Sequence, residues 1–228
     1  MKQEQRTDIR IALNVTRTRV TVLTFNLTII ALMVTMISGN DSLSSGFVLA
    51  HLTISVALYV GFCLTLFGLW WLLMSQNLDS EGLSRPWPFT LGTLTTYLAL
   101  SQTVTAFMHL YLVELRSTVE TTQGGPGASY LSLVPVAVVG DVGLVILFLF
   151  GGAIWVLMTY IAPLITGLRA PITRGHKWVL AGYYFALQAP VYWLYAKAWH
   201  LQQAAVQEPM NMLYLFGLQF LQPLFWFR

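Results

Sequence analysis

Charge is what this chain has least of. Asp, Glu, Lys and Arg together make up 9% of its 228 residues, against about 25% in a typical soluble domain. That is too little polar surface to cover a water-soluble globule. The chain has one cysteine, Cys63, which excludes an intrachain disulfide, a CxxC redox pair and a cysteine metal cluster. Cys63 lies inside an apolar run and is expected to pack in the interior. A P-loop, a dinucleotide-binding glycine fingerprint, an HExxH zinc site and a GxSxG nucleophile elbow are all missing. So are a TVGYG-type filter and an arginine-rich voltage helix. No lysine lies deep in the last apolar run, which speaks against retinal binding. The basic residues do not interleave with exposed aromatics, so no nucleic-acid partner is expected.

What the chain does have is apolar length. Hydrophobic residues make up 56% of it and fall in long runs, the pattern of segments that use the bilayer as solvent. The expected fold is an all-α polytopic membrane protein, a single transmembrane domain over 1–228. Six transmembrane helices are expected over residues 20–38, 47–74, 89–113, 133–168, 178–199 and 210–227. The fourth run, at about 1.5 Å per residue, exceeds a hydrocarbon core of ~30 Å. It carries Pro135 and Pro163, and tilt, a kink or a cytoplasmic extension would accommodate it. The sixth is barely long enough to cross, and a half-helix dipping into the membrane is its alternative. Residues 1–19 carry Arg6, Arg10 and Arg17 on one helical face and suit a short amphipathic segment on the membrane surface. The apolar stretch after them is too long for a signal peptide and lacks a cleavage site, so it is expected to remain as the first crossing.

The basic residues orient these crossings. With the N-terminus inside, Lys2, Arg6, Arg10, Arg17, Arg19, Arg85, Arg169, Arg174, Lys177 and Arg228 all fall on the cytoplasmic side. They are ten of the twelve Lys and Arg residues; only Arg116 and Lys197 fall near the outer side. This asymmetry is the positive-inside pattern and predicts both termini cytoplasmic. Trp70, Trp71, Trp87, Trp178 and Trp226 would then sit near the inner interface, where indoles prefer to lie. Between the spans, polar loops are expected around Asp79, Glu81 and Arg85, and from Glu114 to about Ser132 with a Gly-Gly-Pro-Gly turn.

The remaining ionisable groups gather toward the opposite side. His51 and His109 lie about one turn inside the outer ends of the second and third spans. Asp141 lies about two turns inside the fourth, and Lys197 and His200 sit at the end of the fifth. A buried aspartate costs roughly 2.5–3.5 kcal/mol on insertion scales, so Asp141 must face protein, water or a partner. Gly140 and Gly143 beside it permit close approach of another backbone. The third span adds a stripe of Thr95, Gln102, Thr105 and His109, and the first places Thr21, Thr28 and Thr35 seven apart. Such hydroxyls either line a polar path or bond back to their own helix. His176, in a basic stretch, is expected in a solvated loop. Leu187–Trp193 (LQAPVYW) and Leu221–Trp226 (LQPLFW) share a Leu-Gln start and a later Pro-x-x-Trp, a weak hint of an inverted repeat.

Three functions fit these residues. The first is transport or channel activity for an ion, proton or small solute, with a pathway through Asp141, Gln102, His109, Thr105 and Lys197. Helices this few leave little room for a solvated path in one protomer, so a homo-oligomer is expected. The second is a redox membrane subunit in which His51 and His109 hold haem or a metal, with Asp141 as third ligand or acceptor. The third is an accessory or scaffold subunit of a larger membrane complex.

Overall fold

Pro86 is the first residue of the longest helix among the described residues, where its missing N–H costs nothing, because a first-turn amide has no intrahelical partner. The computed structural model describes residues 17, 20–32, 34–35, 52–82, 86–123, 145–204 and 211–225. Of these, 94% are helical and none is in a strand, so the all-helical expectation holds among the described residues. In chain order the helices are α1 (Val20–Leu32), α2 (Leu52–Ser80), α3 (Pro86–Gln123), α4, α5 (Arg174–Ala204), α6 (Met212–Gln219) and α7 (Gln222–Phe225). Helix α4 is composite. It is π-helical over Leu147–Gly151, α-helical over Gly152–Val156, π-helical over Leu157–Ile161 and α-helical over Ala162–Arg169.

Among the described residues, two helices are long and apolar enough to cross a membrane: α2 and the Leu149–Arg169 part of α4. At about 1.5 Å per residue they reach about 43 Å and about 31 Å. Both point to a membrane location. Helices α3 and α5 are longer still, but carry more hydroxyls, amides and aromatic polar groups.

Several helices outrun their apolar runs. Helix α2 continues to Ser80, so Asp79, expected in a loop, sits in its last turn. Helix α3 runs through Glu114 and Arg116 to Gln123, ten residues into the expected loop. Nothing in that stretch breaks a helix before the glycines at Gly124 and Gly125, and Glu, Leu and Arg are good helix formers. His176, also expected in a loop, lies in the first turn of α5. The sixth run is not one helix. Asn211 caps α6, its side chain accepting from the Leu213 amide at 2.8 Å. Residues Phe220 and Leu221 then form a turn, closed by bonds to the Gly217 and Leu218 carbonyls. Pro223 explains the break, since it has no N–H to give the Gln219 carbonyl and its ring crowds that position.

By internal contacts the chain forms two units. One comprises 1–42, 58–103 and 158–191, the other 43–57, 104–157 and 192–228. In the first, α2 and α3 approach through small residues. A Cβ on Gly68 would lie 3.4 Å from Thr96 Oγ1, and one on Gly92 only 2.9 Å from Leu72 Cγ. Gly61, Thr65, Gly68 and Leu72, spaced four, three and four, form the buried stripe of α2. Cys63 lies off that stripe and is exposed, correcting the interior position expected for it. In the second unit, Gly151 accommodates the Met108 side chain. Tyr192, Phe216 and Phe220 pack edge to face, with centroids 4.8 and 5.5 Å apart.

Candidate functional site

Polar side chains are turned inward along α3. Thr93, Thr95, Ser101, Gln102 and Thr105 are all fully buried, while Phe25, Tyr59, Phe150 and Trp178 are largely exposed. Among the described side chains of α3, buried polar ones outnumber buried apolar ones, unlike a water-soluble protein, whose buried groups are mostly apolar. The threonines meet much of their hydrogen-bonding need locally. Thr90, Thr93, Thr95, Thr96 and Thr103 each donate to the carbonyl four residues back. Thr21, Thr24 and Thr28 on α1, and Thr35 beyond it, do the same while exposed. A hydroxyl bonded this way can face an apolar environment cheaply.

Beyond this local bonding, α3 contributes to one polar cluster in each unit. In the first unit, Thr95 Oγ1 and Tyr183 Oη are 2.7 Å apart, tying α3 to α5. In the second, the hydroxyl of Thr105 belongs to a chain of four hydrogen bonds that run head to tail. Trp155 Nε1 donates to Thr105 Oγ1 at 3.1 Å. Thr105 donates to Gln222 Oε1 at 2.9 Å, Gln222 Nε2 to Gln219 Oε1 at 3.1 Å, and Gln219 Nε2 to the Leu215 carbonyl at 3.3 Å. Each group donates onward and accepts from behind, so the bonds polarise one another in one sense. The chain links α3, α4, α6 and α7. Trp155, Gln219 and Gln222 were not among the expected site residues. Their signal was present: two glutamines three apart in an otherwise apolar segment must find partners in a membrane.

The expected pathway residues fare differently. Gln102 is fully buried and its Nε2 donates to Ser101 Oγ at 3.0 Å. Thr105 lies in the chain just described. His109 is partly buried on α3, one turn beyond Thr105, and Lys197 is exposed on α5. Asp141 and His51 lie outside the described residues. Among the described residues no cluster of three or more His, Cys, Asp or Glu side chains could hold a metal. Glu81, expected in the loop after α2, lies in the turn there, exposed.

The first unit also contains a cavity of about 440 Å³ between α4 and α5. Pro163 shapes it. Without an N–H, Pro163 cannot bond the Thr159 carbonyl four residues back, and the Tyr184 hydroxyl donates to that carbonyl instead, at 2.8 Å. At the other end, Lys177 Nζ donates to the Leu168 carbonyl at the C-terminus of α4, a usual way to satisfy a helix end. Nearby, His176 meets Thr173 Oγ1 at 2.6 Å and stands edge-on to Trp87. The chain matches no family model, no curated protein and no solved structure, so these residues alone must suggest a role.

Proposed function

We propose that the chain is a six-crossing membrane protein with both termini cytoplasmic, and that it is a transport or channel-type protein for an ion, proton or small solute. The inverted polarity of α3 carries this reading. A helix with Gln102 and seven hydroxyls buried, from Thr90 to Thr105, supplies the polar interior a solute path needs. Asp141 is proposed as the charged group of that path, with His109 and Lys197 at its outer end. In the described arrangement the Thr105 and Gln102 side chains bond to protein partners. Passage of a solute would require exchanging those bonds for bonds to the solute, which is how a closed state would differ from an open one. An oligomer remains part of the proposal, because so few helices enclose little water.

Reconstitution in liposomes tests the reading. The parent chain is expected to support flux of protons, a monovalent cation or a small solute. Asp141→Asn is expected to lower the flux at least tenfold while the protein stays folded. No flux from either protein overturns the proposal. An absorbance spectrum and metal analysis of the same preparation separate it from the haem or metal alternative through His51 and His109, which demands a bound chromophore or metal.

A further inference from the structure

The α4–α5 cavity is built for an occupant, and two of its polar groups say which kind. Thr159 is fully buried and Gln188 is 4% exposed; both line the cavity. Thr159 Oγ1 has no hydrogen-bond partner among the described residues, and Gln188 Nε2, beside the Tyr184 hydroxyl, makes no bond of good geometry. A buried polar group without a good partner forfeits the bonds it made to water, so two in one cavity mark a place where something else bonds. Thr159 is the telling case. Thr90, Thr93, Thr95, Thr96 and Thr103 of α3 return their hydroxyls to the carbonyl four residues back, whereas Thr159 lies in the π-helical turn Leu157–Ile161 and makes no such bond. Irregular turns of this kind recur at binding sites. The nearby Tyr184 proton is already committed to the Thr159 carbonyl.

The remaining walls decide the rest of the ligand. They are almost wholly apolar, with Leu94, Leu164, Leu180 and Phe185 among them. The one cation, Lys177, already bonds the Leu168 carbonyl, so no anion is called for at that end. Gln188 lies eleven residues beyond Lys177 on α5, about 16 Å along the helix. A phospholipid with its phosphate at Lys177 would leave only acyl chain at that depth and satisfy neither orphan. A volume of about 440 Å³ falls within the usual 300–1,000 Å³ of small-molecule pockets.

We infer that the α4–α5 cavity binds an uncharged lipophile carrying a carbonyl oxygen at its inserted end. The carbonyl accepts from Gln188 Nε2 and Thr159 Oγ1, and the apolar body fills the rest of the groove. The inference is independent of the solute path proposed above, sharing only the membrane setting.

The test uses the full chain in lipid nanodiscs and decylubiquinone as the probe, a quinone ring on a ten-carbon tail. Saturable binding at one probe per chain is expected. Gln188→Leu and Thr159→Val should each weaken it about five- to tenfold, the worth of one hydrogen bond. Gly167→Trp should abolish it by filling the groove, since nothing lies within 4 Å of a Cβ placed there. Decylbenzene, with the tail but no carbonyl, and dodecanoate, with a charged end, should not compete. Removing an orphan should leave the melting temperature unchanged or higher, so lost binding would not reflect misfolding. Equal competition by either control, or parent-like binding by both Gln188→Leu and Thr159→Val, overturns the inference.

Discussion

Thr105 and Gln222 meet across 117 positions of sequence, hydroxyl to amide oxygen, at 2.9 Å. The bond fastens α3 to α7, and the Trp155 indole, donating to the same hydroxyl, brings in α4. In a membrane such bonds act as glue between helices, because lipid offers no competing partner. Their measured worth is nevertheless modest, since the unfolded helices also find partners there.

A double-mutant cycle on this pair should therefore return a coupling of roughly 0.6–1.7 kcal/mol. Thr105→Val removes the shared hydroxyl, and Gln222→Leu removes the acceptor while leaving Gln219 Oε1 without its donor. Unfolding in mixed detergent micelles is the measurement. Additive single effects would mean that the bond contributes nothing.

Gly92 makes a steric prediction. Any side chain there meets Leu72, with Cβ to Cγ at 2.9 Å, and the Trp71 Cβ at 3.1 Å. Gly92→Val should destabilise by about 1–3 kcal/mol, the usual cost of overpacking. Leu72→Ala added to Gly92→Val should recover part of that loss, because it opens the space the new methyls need. A double variant no more stable than Gly92→Val would place the clash elsewhere.

The α3 stripe was legible in the sequence because threonine and glutamine at helical spacing stand out against an apolar background. What the stripe does was not. Whether Thr95 bonds its own helix, another helix or water depends on where Tyr183 arrives, and no local pattern encodes that. Gln219 and Gln222 stand out in the sequence, but the apolar run around them suits a short crossing or a half-helix dipping into the membrane, and the break after Gln219 at Pro223 shows only in three dimensions. The π-helical turns of α4 left no sequence signature beyond Pro163, so the orphaned Thr159 hydroxyl could only be found in three dimensions. Helix ends were misjudged for a simpler reason: apolar runs mark where lipid begins and ends, while helices continue until something breaks them. Asp79 and Glu114 show this at the ends of two runs.

The proposed orientation is tested by labelling. In a Cys63→Ser background, Glu81→Cys and Lys197→Cys place single thiols at exposed positions, the first after α2 and the second on α5. With the N-terminus inside, a membrane-impermeant maleimide should label the thiol at 197 in intact cells. It should label the thiol at 81 only after permeabilisation. The opposite pattern would invert the topology, and labelling of both in intact cells would contradict the assignment of crossings between them.

Asn26 and Thr65 should respond unequally to the loss of their bond. Asn26 Nδ2 donates to Thr65 Oγ1 at 2.9 Å, and Thr65 in turn donates to the Gly61 carbonyl at 2.6 Å. Both residues are buried, and Asn26 Oδ1 has no partner among the described residues. Asn26→Leu removes that orphan along with the donor and leaves Thr65 bonded to Gly61, with a side chain of similar size in the same place. Its effect on stability should be close to neutral, or stabilising by up to about 1 kcal/mol. Thr65→Val removes the acceptor and strands the whole amide of Asn26, which should cost about 1–3 kcal/mol. Thermal unfolding in one detergent resolves the two. Equal losses would mean that the pair is held by shape alone, and a larger loss for Asn26→Leu would mean that its carbonyl oxygen has a partner such as water.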